Sequence, residues 1–177
     1  DYTPLILDER LTTSFGLRWS KDQRALYRQS LQAITLNLRG DPDIESASWY
    51  SIDPRLKLSY AISDDLVGYF SLTHGYRPGS FNVEARSIIS KYDTADSLGS
   101  DLRFEEESQM AYEFGLKGTV LDGLADLEFA VFYYDIKDGQ ETVVYPKSPI
   151  SRSIVNADGY SYGIEIDASW YLTDNLT

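Results

Sequence analysis

The chain has 177 residues, about one domain's worth, with 28 acidic against 16 basic side chains and a net charge of -12. That balance argues against nucleic acid as a partner, because such affinity comes mostly from Lys and Arg neutralising phosphates. The absence of cysteine removes disulfides, thiol catalysis and Cys-ligated zinc, and the single histidine, His74, is the one residue on which a Ser-His-Asp triad would depend. Aromatic residues reach 14% of the chain, 14 of them tyrosine, a type that suits a boundary between oil and water.

Six segments alternate with period two, the signature of half-wet strands. In the first, Leu11, Thr13, Phe15, Leu17 and Trp19 oppose Thr12, Ser14, Gly16, Arg18 and Ser20. In the second, Leu56, Leu58, Tyr60 and Ile62 oppose Arg55, Lys57, Ser59 and Ala61. In the third, Leu66, Phe70, Leu72 and Tyr76 oppose Tyr69, Ser71 and Thr73. The fourth sets Tyr112, Phe114, Leu116 and Val120 against Glu113, Gly115, Lys117 and Thr119, and the fifth sets Leu127, Phe129, Val131 and Tyr133 against Asp126, Glu128, Ala130 and Phe132. The sixth sets Tyr162, Ile164, Ile166, Ala168, Trp170 and Leu172 against Gly163, Glu165, Asp167, Ser169 and Tyr171. The predicted strands are Leu11–Asp22, Ser51–Ile62, Leu66–Tyr76, Met110–Val120, Ala125–Lys137 and Ser161–Leu172, antiparallel and each paired with its sequence neighbour.

Short polar turns close one end of these strands: Leu7 to Leu11, Ser63 to Leu66, Leu121 to Leu124 and Thr173 to Leu176. Long stretches, Gln23 to Trp49, Arg77 to Gln109 and Glu141 to Tyr160, lie at the other end, and their margins are compatible with strand extensions. Ser30 to Gly40 fits both a strand and a helical spacing and is left open.

A soluble sandwich also alternates. It has shorter strands, with a mode of about 5–6 residues, and turns of similar length at both ends. Here the strands are long, one end has short turns and the other long loops, and Trp19, Tyr60, Tyr76, Tyr112, Tyr133, Trp170 and Tyr171 gather near strand ends as a girdle. Ten residues tilted about 45° cover roughly 23 Å, close to the ~25 Å apolar band of an outer-membrane barrel. The expected fold is therefore all-β: an antiparallel up-and-down transmembrane barrel, with Arg18, Lys57, Glu113, Lys117 and Glu165 facing the lumen and Leu116, Phe129, Val131, Ile164 and Ile166 facing lipid. Six strands do not close a bacterial barrel, whose minimum is about eight. The expectation is an arc of a larger barrel.

Several runs carry a family resemblance: Gly16-Leu17-Arg18-Trp19-Ser20, Pro54 to Tyr60, Gly75-Tyr76-Arg77-Pro78-Gly79-Ser80-Phe81-Asn82, Tyr112 to Gly118, Phe132 to Gln140, and Gly163-Ile164-Glu165. In this order they resemble the barrel of TonB-dependent outer-membrane receptors of Gram-negative bacteria. Ser80 departs from a position where the family usually has a second glycine, and Asn156 to Gly159 follows its Asn-x-Gly pattern loosely. The resemblance implies that residues 1–177 are part of a 22-stranded barrel with an N-terminal plug outside this chain. It implies active import of a scarce solute, most often a ferric siderophore, with TonB as the energy-coupling partner. Lipid and lipopolysaccharide would surround the wall. No cofactor is expected.

At the rim, Arg77 is a candidate to attract an anionic chelate, and Tyr76 and Phe81 to pack on its rings; a girdle Tyr76 and a bend at Pro78-Gly79 are the plain alternative. Glu105-Glu106-Glu107 with Asp93, Asp96 and Asp101 is compatible with Ca²⁺ or with a solvated acidic loop, and lacks EF-hand spacing. His74 falls on the oily face by parity, which argues against an enzyme. A passive porin and a soluble β-sheet binding domain remain as other readings.

Overall fold

Alternation in the sequence becomes the pleat of one sheet. The computed structural model describes residues 9–28, 43–82, 103–144 and 152–171. Among these, β1 (Leu11–Arg28), β2 (Asp43–Ala61), β3 (Leu66–Arg77), β6 (Glu107–Val120), β7 (Ala125–Val144) and β8 (Arg152–Trp170) form an antiparallel sheet in the order β1-β2-β3-β6-β7-β8. Two short strands, β4 (Ser80–Phe81) and β5 (Arg103–Phe104), pair with each other as a separate ribbon.

The short turns sit at one end, as their composition dictates. Ile62 N–H donates to the Leu66 carbonyl at 2.8 Å, closing β2 onto β3. Between β6 and β7, Leu121, Asp122 and Gly123 take positive φ values of 55°, 53° and 91°, a region that Asp and Gly enter readily. Arg10, in the first turn, accepts from Ala61 N–H at 2.9 Å; Leu7 and Asp8 of that turn, and the turn from Thr173 to Leu176, lie outside the described residues. Gly118 lets the neighbouring turn approach: a Cβ there would lie 1.9 Å from the Asp65 carbonyl oxygen, which accepts Thr119 N–H at 2.9 Å.

Strands reach further than the alternation predicts. β1 continues from Asp22 to Arg28, β2 begins at Asp43, β7 runs to Val144 and β8 begins at Arg152. Much of the Gln23–Trp49 and Glu141–Tyr160 stretches is strand, at the end away from the short turns; 29–42, with the ambiguous Ser30–Gly40 segment, lies outside the described residues. β7 has 20 residues. At about 3.3 Å per residue and a tilt near 45° that is over 40 Å, well beyond a ~25 Å apolar band, so the strands project past the membrane.

Register places the two faces as the parity requires. Phe70, Phe114, Val131 and Ile164 form one row across four strands, and Leu72, Tyr112, Tyr133 and Tyr162 the next. Leu116, Phe129 and Ile166 form a third row on that face. Ile164 and Ile166 are 66% and 69% exposed, and among the described residues no second sheet covers them. A soluble sandwich would bury such rows; this sheet presents them outward, to hydrocarbon.

The opposite face is polar and cross-linked. Arg18 Nε donates to Asp53 Oδ2 at 2.8 Å, Tyr69 Oη donates to Glu113 Oε1 at 2.7 Å, and Lys117 pairs with Glu128 on the facing strand. Lys57 Nζ sits 5.4 Å above the Tyr69 ring. Tyr69 lies over Gly115 and Phe132 over Gly163, each ring where a Cβ would be. An aromatic covering a cross-strand glycine shields the backbone that glycine leaves bare.

Candidate functional site at the outer rim

A proline opens the rim. Pro54 has no N–H for a ladder, and the β2–β3 pairing ends at Arg55 opposite Thr73. β3 goes on pairing with β6 up to Arg77 opposite Glu107, while β2 goes on with β1 up to Arg28 opposite Asp43. The upper parts of β2 and β3 therefore separate, and side chains fill the gap.

Buried Asp53 lies at the fork. It accepts from Arg18 Nε, from the Ser51 hydroxyl, and shares a hydrogen bond with His74 Nδ1 at 2.9 Å. His74 is thus not the interfacial residue its parity suggests. Once the β2–β3 ladder has ended, its imidazole reaches across the fork to a carboxylate. Asp53 ties β3 to the still-paired β1 and β2 where the β2–β3 backbone ladder has ended.

Above the fork sits the β4–β5 ribbon. Trp49 of β2 is 2% exposed. The Phe81 ring meets it edge-on with centroids 6.3 Å apart, and the Arg103 guanidinium lies 5.4 Å from its ring centre. Gly79 permits this contact: a Cβ would fall 2.3 Å from the Phe104 carbonyl oxygen and 2.5 Å from Trp49 Nε1. The Pro78-Gly79 bend therefore turns the chain in against Trp49.

Amide side chains hold the other side of the ribbon. Asn82 Nδ2 donates to the Ile154 carbonyl at 2.9 Å while Ile154 N–H donates to Asn82 Oδ1 at 2.7 Å. Gln140 Nε2 donates to the carbonyls of Pro78 and Glu105, each at 3.1 Å. Asn156 Oδ1 accepts from Glu105 N–H at 2.8 Å, and its Nδ2 donates to Glu105 O at 3.2 Å and Asp138 O at 2.6 Å. Beside them β7 carries a bulge between Ile136 and Gly139, with Asp138 at φ 53°. Asp158 caps that bulge. Its carboxyl is held below the usual range by the Asp138 backbone N–H and then by the Lys137 ammonium 3.4 Å away.

The three candidate solute residues fall in different settings. Arg77, at the top of β3, has a side chain 63% exposed and 3.9 Å from Glu107. Phe81 is half-buried against Trp49. The Tyr76 hydroxyl is buried beside the Asp22 carboxylate, so its polar tip points into the fork. All three lie on one stretch of chain but not on one open surface. Within the acidic run, Glu105 pairs with Arg103 at 2.7 Å and Glu107 accepts from Gln140 N–H at 2.8 Å. Asp93, Asp96 and Asp101 lie outside the described residues.

Trp49 and Asp53 are not singled out by sequence reasoning, and Asn82, Gln140 and Asn156 are noted only inside longer runs. A signal existed for two: Ala47, Trp49, Ser51 and Asp53 alternate in phase with Arg55 and Lys57, which places Trp49 on the inner face. The amides carry no pattern of their own.

An outward apolar face, a polar cross-linked inner face, short turns at one end and long strand extensions at the other define the wall of a transmembrane barrel. The chain belongs to the family described as TonB dependent receptor-like, beta-barrel, whose profile matches residues 2–177. Its fold is similar to that of the copper transporter OprC, at 21% identity and a TM-score of 0.69, over 96% of this chain and 24% of that one. It is likewise similar to the ferric yersiniabactin uptake receptor FyuA from Yersinia pestis, at 23% identity and 0.64, over 95% and 23%. A third likeness is the alcaligin outer membrane receptor FauA from Bordetella pertussis, at 20% and 0.57, over 97% and 26%. The chain spans about a quarter of the length of each. The family consists of Gram-negative outer-membrane receptors and transporters rather than enzymes.

Proposed function

We propose that the whole protein is an active importer of the outer membrane, that it takes up a scarce solute, and that the solute is a ferric siderophore. Family membership over nearly the whole chain is the observation that carries this reading. Two proteins of similar fold, the ferric yersiniabactin uptake receptor and the alcaligin outer membrane receptor, support the choice of solute. TonB would act through parts of the protein outside residues 1–177, on a plug that fills the barrel. Lipid and lipopolysaccharide would surround the wall.

In this reading the stretch from Tyr76 to Phe81 meets the solute. Arg77, largely exposed, supplies positive charge for an anionic chelate. The free surface of the Phe81 ring and the body of Tyr76 supply apolar contact.

Uptake by cells that carry the full-length receptor as their sole importer for the test solutes decides the matter. With ferric hydroxamate and ferric catecholate probes labelled with radioactive iron, at least one probe is expected to accumulate under iron starvation, and the accumulation is expected to fall to background when TonB is deleted. Uptake that persists without TonB replaces the importer with a passive channel. No uptake of either class removes hydroxamate and catecholate siderophores and leaves another solute.

A further inference from the structure

Asn82 engages Ile154 in an unusual way for a side chain: it takes both backbone groups of one strand residue. The direction of those groups follows from the ladder. Tyr171 N–H donates to the Leu124 carbonyl, so odd-numbered residues of β8 turn their N–H and C=O toward β7 and even-numbered ones turn away. Gln140, opposite Asn156, agrees: its N–H points away from β8, to Glu107. The N–H and C=O of Ile154 therefore face the edge of β8 away from β7. In a closed barrel the following strand pairs along that edge.

We propose that Asn82 is an edge cap. It occupies the ladder position at Ile154 as a strand residue would, stops the following strand from pairing with β8 above that height, and anchors the β4–β5 ribbon to β8. Several observations agree with it. Asn82 is itself buried, as is Ser153 next to Ile154, whereas most of β8 is exposed. Asn156, whose backbone faces the same edge, spends its side chain on the backbone of Glu105 in the same ribbon. On the far side the ribbon is seated on Trp49 of β2. The segment between Asn82 and Arg103 thus leaves and re-enters a ribbon tied to β2 at one side and to β8 at the other. A long strand edge rising past the membrane is a template for unwanted pairing, and a side-chain amide that satisfies both groups closes it. The inference depends on the closed barrel, not on what is transported, so it stands or falls separately from the import reading.

Amide hydrogen exchange on the full-length receptor in detergent micelles tests it. In the parent protein Ile154 is expected to exchange slowly. In Asn82→Ala the 152–157 region should exchange at least about tenfold faster, with 163–170 unchanged. Asn82→Gln keeps the amide but sets it a methylene too far, and should give the same acceleration if the alanine variant fails to assemble. Asn82→Asp retains an acceptor for Ile154 N–H and should keep that amide slow. Unchanged exchange at Ile154 in both Asn82→Ala and Asn82→Gln overturns the proposal, because it means that another strand already holds that edge.

Discussion

Replacing Trp49 by alanine is expected to free the β4–β5 ribbon from β2 while the barrel wall still assembles. Trp49 is the largest fully buried side chain among the described residues. Removing a buried Trp costs about 3–5 kcal/mol, through lost apolar burial and the cavity left behind. Here the cost falls on a small local unit, because the β1–β2 ladder at Asp22 opposite Trp49 is made of backbone and does not need the indole. Phe81 loses its ring partner and Arg103 the face beneath its guanidinium. Exchange of the 79–82 and 103–105 amides should rise a hundredfold or more, on the order of the ~3 kcal/mol lost. The heat-modifiable mobility of the assembled barrel should not change. If those amides stay protected, the three amide side chains hold the ribbon without help from Trp49.

The second large effect concerns uptake. Deleting residues 84–101, which keeps Asn82 and Arg103 and so the whole ribbon, is expected to abolish solute binding and uptake with normal assembly of the receptor. Segments at one rim of a barrel can vary in recognition without disturbing the wall. The residues that flank this one, Asn82 and Arg103, belong to a ribbon tied to β8 and to β2. Radioactive-iron binding at ice temperature separates capture from transport, and surface labelling of the receptor checks its amount. Binding with unchanged affinity in the deletion variant would show that the solute is captured elsewhere.

How much of this the sequence reveals depends on whether the two faces of a strand meet different solvents. Between Leu66 and Tyr76, or between Leu127 and Tyr133, one face meets lipid and the other water, so apolar and polar residues alternate and the strand is legible. Beyond Asp22 the strand continues through Gln23-Arg24-Ala25-Leu26-Tyr27, where both sides are wet and no contrast survives. The β7 extension is hidden further by its bulge, because the extra residue between Ile136 and Gly139 shifts the phase. Parity alone puts His74 on the oily face and misses its partner: nothing in period two announces that Pro54 ends a ladder and lets an imidazole cross to Asp53. The candidate site was legible as a stretch, Tyr76 to Asn82, but not as a geometry. Trp49 meets Phe81 from 32 positions earlier, and Ile154 meets Asn82 from 72 positions later. No local pattern carries contacts of that range.

This sheet is a barrel wall with lipid on one face and water on the other. Single nitroxide labels on the full-length receptor in a bilayer test it most directly. Labels at Phe114, Val131 and Ile164 should collide with oxygen and be shielded from a water-soluble nickel chelate, whereas labels at Glu113, Lys117 and Glu165 should show far less of the oxygen preference. Labels at all six positions that are equally open to the nickel chelate, or equally shielded from both reagents, would contradict the account.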